Sequence, residues 1–359
     1  VGSNLKKYEY TFLLQIYPGA GEENATPIYY DYEMFGEDGT CKLAENGHYI
    51  LMNDITLDLV KPIDYPIGSL DGNNHIIKIK NFVIDKSKTE YGLFANIGTY
   101  QDEEKRTHKT ILKNVIVDYS EFNVENSGNI EFTNNEITSI TYGGLVGTNN
   151  GGLIYNCDVI NSNVAINKSI NIITDANASV TFGGLVGSNS GVITNSRVGR
   201  REFKDIDAKN DSSVNVTFGG LTFTLGSDTS SGFDVVAGGF VGTNQGTISS
   251  SYFANSNLIN YSNSQTTNIT AGFAGKNSSN SSIVYSYVKA NETTITPSSP
   301  YATGARIEGK SNGIVAGFVY ENAGTISDCY ANTELYTDST YMAGFVYNNL
   351  SSGTISESY

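Results

Sequence analysis

The chain has no tryptophan, three cysteines, three histidines and six prolines in 359 residues. Each scarcity excludes something. An odd, sparse cysteine set provides no disulfide framework and says little about compartment. His48, His75 and His108 share no metal-ligand spacing, and no His-Glu-x-x-His pair exists, so no zinc protease centre is expected. No apolar run approaches the ~18 residues of a membrane span. The apolar segment Tyr10–Ile16 is too short for one and lacks the flanks of a signal peptide. Positive charge is scarce as well: 22 Lys and Arg stand against 37 Asp and Glu, a formal net charge of −15. Nucleic acid demands a basic footprint, so it is excluded as a partner. The acidity forms no run, which argues against an acidic tail. From Val216 onward only four Lys/Arg and nine Asp/Glu occur, leaving a surface of Ser, Thr, Asn and Tyr.

What the chain does have is one phrase written repeatedly. Its cleanest copy is Gly183–Ser196, GGLVGSNSGVITNS. Others run Gly143–Cys157, Gly238–Tyr252, Ala271–Tyr287, Ala316–Tyr330 and Ala343–Tyr359. With Gly144, Gly184, Gly239, Gly272, Gly317 and Gly344 as origins, the next residue is always Leu or Phe: Leu145, Leu185, Phe240, Phe273, Phe318, Phe345. An Asn follows (Asn149, Asn189, Asn244, Asn277, Asn322, Asn349), then an Ile (Ile154, Ile193, Ile248, Ile283, Ile326, Ile355). Each copy closes on a small residue, such as Ser196, Ser251, Ser286 or Ser358.

The phrase reads as strand, turn, strand. Its Leu/Phe and Ile segments are short, β-prone and bounded by Gly and Asn, which tolerate turn conformations. A unit this short cannot bury its own apolar face, so copies must stack. Stacking places like residues in register and predicts ladders of Phe, Ile and Asn, with the Asn amides bonding from rung to rung. Small closing residues are expected to stack in a tight corner. The origins are 40, 55, 33, 45 and 27 residues apart, so many copies are expected to hold more than one rung of ~20–30 residues or a side loop. Phe218–Gly226 (FGGLTFTLG) reads as a degenerate copy without its Asn turn.

GGLVGSNSGVITNS resembles the GLUG motif, a repeat of bacterial surface adhesins and of non-catalytic regions of IgA-specific metalloproteases. The resemblance covers roughly residues 140–359. Upstream, ILMNDITLD, PIGSLDGNNHIIKIKNF and YGLFANIG look like opening solenoid rungs. The departures are uneven spacing, and Tyr320 and Tyr347 where other copies have Gly147, Gly187, Gly242 and Gly275. The resemblance implies an all-β, right-handed parallel β-helix (β-solenoid) on a secreted or surface-exposed protein. It implies no reaction, since such repeats are usually stalk or binding modules.

Residues 1–48 lack the phrase and read as an N-terminal β cap, or the end of a preceding domain, with strands at Tyr8–Tyr17 and Pro27–Phe35. Residues 49–359 read as the solenoid, of about ten to twelve rungs and ~50 Å length. Three charged excursions, Thr99–Lys109, Gly199–Asp211 and Pro297–Lys310, read as loops carried on the scaffold. The chain begins without Met and stops after a repeat phrase, as expected of a piece of something longer, whose remainder would hold an anchor or an enzyme.

Cys157 and Cys329 fall at the closing corner and read as small buried side chains, too many rungs apart to bridge. Carbohydrate-active β-helices need clustered carboxylates. Asp205 and Asp207 would share a strand face, but a solvated loop explains them better. Eleven Asn-x-Ser/Thr sequons occur, close to the number this Asn- and Ser/Thr-rich composition would give by chance.

The expectation is therefore a non-catalytic extracellular structural or adhesive module, binding a surface glycan or protein. No enzyme activity, catalytic residue, metal or cofactor is expected, and the sequence marks no binding residue. One alternative is the subunit of a self-assembling extracellular filament, associating end to end. The others are a carbohydrate-active β-helix enzyme and a passive spacer for a protease domain outside this piece.

Overall fold

The phrase forces one turn of a coil. In the copy that starts at Gly143 the chain runs through strands Ser139–Gly143, Val146–Asn150, Leu153–Tyr155, Asp158–Ile160 and Lys168–Thr174 before the next copy begins. A computed structural model shows this path and describes residues 25–359 apart from 86, 103, 124–127, 133–137, 164–167, 175–177, 200–201, 204–215, 218–219, 227–231, 265, 291–304 and 311–312. Corresponding strands of successive turns pair in parallel, and five long sheets of 7, 8, 10, 8 and 6 strands result. The molecule is a parallel β-helix. We name the five sheets the glycine, asparagine, isoleucine, corner and return sheets, in the order of the strands just given. Ten strands of the isoleucine sheet, at a spacing of ~4.8 Å, make a ladder about 43 Å long.

Register follows the phrase residue for residue. Gly143 pairs with Gly183, then Gly238, Ala271, Ala316 and Ala343 in turn. Each copy is thus one rung. Of the two expectations for the long copies, several rungs or a side loop, this corrects the first and favours the second. The extra residues sit mainly between the corner and return strands, which are separated by as little as Asn332 to Glu334 and as much as Gly199 to Leu221.

Two local features bend the chain. At the first corner the glycines are needed because rungs nearly touch there: a Cβ on Gly184 would collide with the Gly239 carbonyl oxygen. At the closing corner one residue per rung takes a left-handed conformation, with φ of 54°, 53°, 51°, 49°, 50°, 54° and 47° at Asn114, Asn156, Asn195, Ser250, Tyr285, Asp328 and Glu357. The residue after it is small and packs inward. Cys157 N–H donates to Ser196 Oγ at 3.1 Å, and Ser196 N–H to Ser251 Oγ at 3.1 Å. Cys157 and Cys329 occupy this corner as free, buried thiols. Burial pushes them up to about 12 and about 11 respectively.

The interior consists of stacked like residues. Phe240, Phe273, Phe318 and Phe345 stack with ring centroids 4.7, 4.8 and 4.9 Å apart. Ile154, Ile193, Ile248, Ile283 and Ile326 are fully buried on the isoleucine sheet. The Asn ladder runs Asn149→Asn189→Asn244→Asn277→Asn322→Asn349, each Nδ2 donating to the next Oδ1 at 2.8, 2.8, 2.9, 2.8 and 2.7 Å. Phe345, stacked on Phe318, is half-buried.

Other expectations need correction. Leu221–Leu225, inside the supposed degenerate copy, is a return-sheet strand paired with Lys168–Thr174. Its alternation of Leu, Phe and Leu inward is what a half-buried strand needs. The Pro27–Phe35 segment forms strand Thr26–Ile28, paired in parallel with Tyr49–Leu51, and then a helical turn, Asp31–Met34. The Glu33 carboxylate starts that turn by accepting the N–H groups of Tyr29 and Tyr30 at 2.6 and 3.0 Å. Tyr8–Tyr17 lies outside the described residues. Thr99–Lys109 is an antiparallel hairpin rather than a loop or helix. Of Gly199–Asp211, Glu202–Phe203 pairs antiparallel with Val216–Thr217, and 200–201 and 204–211 lie outside the described residues. Arg306–Gly309, placed by sequence in a side loop, is a return-sheet strand.

Candidate functional site

The residues with the most chemical potential stand apart from one another. His48 Nδ1 lies 2.9 Å from Ser69 Oγ, His75 Nδ1 lies 3.1 Å from Asp54 Oδ1, and His108 Nε2 lies 2.8 Å from Asp102 Oδ2. Each histidine is tied to its own polar partner. Among the described residues no group of three or more His, Cys, Asp or Glu is placed to hold a metal. Asp205 and Asp207 lie outside the described residues, as do the sequons at Asn24, Asn167, Asn177, Asn210, Asn215 and Asn291. Of the other sequons, Asn260, Asn268 and Asn277 are buried. Their side chains are engaged within the scaffold, which leaves no room for an attached sugar.

Two surface features remain. The first is a row of tyrosines at the start of the corner strands. Tyr252, Tyr287, Tyr330 and Tyr359 stack with centroids 4.7, 4.8 and 5.8 Å apart. Rings in such a stack cover one another's faces, so the row offers edges and hydroxyls to a partner. Tyr320 and Tyr347, which replace the glycine of earlier copies, form a similar pair at 5.4 Å.

The second is a cleft of about 490 Å³ lined by Asn81, Phe82, Ile84, Phe122, Asn123, Asn129, Ile130 and Glu131. The cleft exists because the return sheet begins late. Its edge strand is Asn129–Phe132, and the rung below passes this side as the irregular stretch after Ile76–Ile79. Asn123 joins the two levels, donating its N–H to Lys80 O at 2.7 Å and its Nδ2 to Asn129 O at 2.8 Å. Asn123 has a φ of 44°, a left-handed value that Asn tolerates and that turns its amide under the strand. The Phe82 ring is half-buried, tilted against Tyr119 and Phe122 at 6.3 and 5.7 Å. Sequence reasoning missed this cleft. Its residues come from stretches 40–50 positions apart, and only the step in rung width brings them together.

No family model matches the chain, and no curated protein matches it. Among solved structures, one described as IgA1 protease is similar over 95% of this chain and 22% of that one, with 14% identity and a TM-score of 0.49. The chain therefore spans well under two thirds of that protein's length.

Proposed function

We propose that this chain is a non-catalytic module of an extracellular or cell-surface protein, a stiff stalk whose side faces bind glycan or protein. The observation that carries the reading is the continuity of the ladders. The Asn, Ile and Phe columns run rung to rung in one core, as a spacer that must keep its shape requires. The outward rows are hydroxyls, amides and tyrosine edges, suited to hydrogen bonding with an uncharged partner. The resemblance of GGLVGSNSGVITNS to the GLUG motif of surface adhesins supports the same reading.

The test is cell binding. Labelled chain is added to mammalian and bacterial cells before and after glycosidase or protease treatment of their surfaces. Saturable binding lost after one treatment supports the module and names the partner class. Absence of saturable binding to every surface sinks the adhesive part.

A further inference from the structure

The edge strand of the return sheet supplies more polar groups to the cleft than its side chains suggest. In a parallel ladder, successive residues of an edge strand turn their N–H and C=O groups to alternate sides. Asn171 donates its N–H to Gly128 O at 2.9 Å, so Gly128, Ile130 and Phe132 serve the rung above. Asn129 and Glu131 therefore turn their backbone groups toward the cleft. The Asn129 carbonyl is taken by the Asn123 amide at 2.8 Å. The Asn129 side chain is held between two neighbours, accepting from Asn171 Nδ2 at 2.8 Å and donating to Glu131 Oε1 at 3.5 Å. Glu131 is exposed at the rim. Asn81, on the opposite lip, is anchored through Nδ2 to Asp58 O at 3.3 Å.

We propose that this cleft binds a neutral saccharide. The inference rests on the adhesive reading above and narrows it to one site and one ligand class. Three observations select the occupant. First, the cleft mixes backbone N–H and C=O, amide and carboxylate within one space, and hydroxyls both donate and accept. Second, Phe82 presents an aromatic surface beside those polar groups, the pairing that positions a sugar ring's C–H face, and the volume falls in the ~300–1,000 Å³ range of small-molecule sites. Third, the chain carries a net charge of −15 and Glu131 stands at the rim, so an anionic sugar is repelled. An extended peptide is disfavoured by length. The edge strand has four residues, two of which face the cleft, and one of those carbonyls is already engaged.

The experiment is a glycan array probed with the whole chain. The array carries neutral oligosaccharides of glucose, galactose, mannose and N-acetylhexosamines, with sialylated and sulfated members as anionic controls. The strongest binder is then titrated calorimetrically against Glu131→Ala, Asn81→Ala and, as a distant control, Tyr285→Asn, which suits the φ of 50° at that position. Neutral glycans are expected to bind. Affinity should fall roughly tenfold or more in Glu131→Ala and Asn81→Ala, with thermal unfolding unchanged, and stay constant in Tyr285→Asn.

Binding confined to anionic glycans overturns the proposal, as does equal affinity in the wild-type chain and both cleft variants. Loss of affinity in Tyr285→Asn alone moves the ligand to the tyrosine-bearing side and also overturns it, while leaving the adhesive module standing. If no glycan binds but labelled chain still binds cells, the cleft proposal fails and the module binds protein.

Discussion

The rungs before Asn129 and those after it hold register by different means. In the first set, unlike residues meet across rungs. Lys61 pairs with Asp38, Lys80 with Asp58, Lys88 with Asp64, Lys78 with Glu121 and Lys113 with Asp71, at 2.7 to 3.4 Å. In the second set, apart from the buried Arg197–Asp158 pair at 3.1 Å, the columns are of like residues: Asn on Asn, Phe on Phe, Tyr on Tyr. Like charges cannot stack at ~4.8 Å without repulsion, whereas amides and rings gain from it. That difference accounts for the poverty of charge after Val216. It also explains why the second set is written as a visible repeat and the first is not: complementary pairs leave no repeating letter.

The comparison is broken most strongly in the Phe column. Phe318→Ala should destabilise by about 3–5 kcal/mol in chemical denaturation, since the ring is fully buried between Phe273 and Phe345. A loss below ~1 kcal/mol would remove the ladder as a source of stability.

Next comes the Asn ladder. Asn244→Ala removes three bonds from the interior, those to the Asn189 Nδ2, the Asn277 Oδ1 and the Gly246 N–H, and should cost about 2–4 kcal/mol. If the loss matches that of an exposed Asn→Ala control such as Asn150, the amide chain is incidental.

Alkaline pH sharpens the contrast between interior and surface. Burial raises the tyrosines Tyr119 and Tyr142, whose hydroxyls lie 3.4 Å apart, and lifts Tyr91 to about 12. The unfolded chain releases these protons near pH 10, while the folded chain holds them longer. Stability is therefore full below about pH 9 and falls as pH rises above 10. A melting temperature that stays flat from pH 8 to 11 in circular dichroism would contradict this burial.

The smallest effect is expected from the cross-rung charges. Lys78→Ala, which removes a half-exposed pair with Glu121, should change stability by about 0–1 kcal/mol. A loss as large as that from Asn244→Ala would mean that ion pairs, not shape, hold the early rungs in register.

Much of the fold was legible because stacked positions repeat the same residue. Asn149 to Asn349 named one column and Ile154 to Ile355 another. YGLFANIG was recognisable as an earlier rung even though Ile97 stands where later copies have Asn, paired with Asn149. The return sheet was not legible. Its strands, Lys168–Thr174, Leu221–Leu225, Asn257–Asn260, Arg306–Gly309 and Glu334–Thr337, share no residue pattern beyond alternation, and variable connections precede them. The cleft was invisible for the same reason.

The sequence by itself determined the architecture and the register. Glycine pairs where rungs nearly touch, and amides that bond to the same amide of the next copy, admit one alignment of successive turns. The tertiary structure decided the size of each rung, the existence of a fifth sheet and the place where that sheet begins. Those depend on how far the chain travels between corner and return strands before it meets the rung below. That distance is set by the packing of unlike side chains, which no repeating letter records.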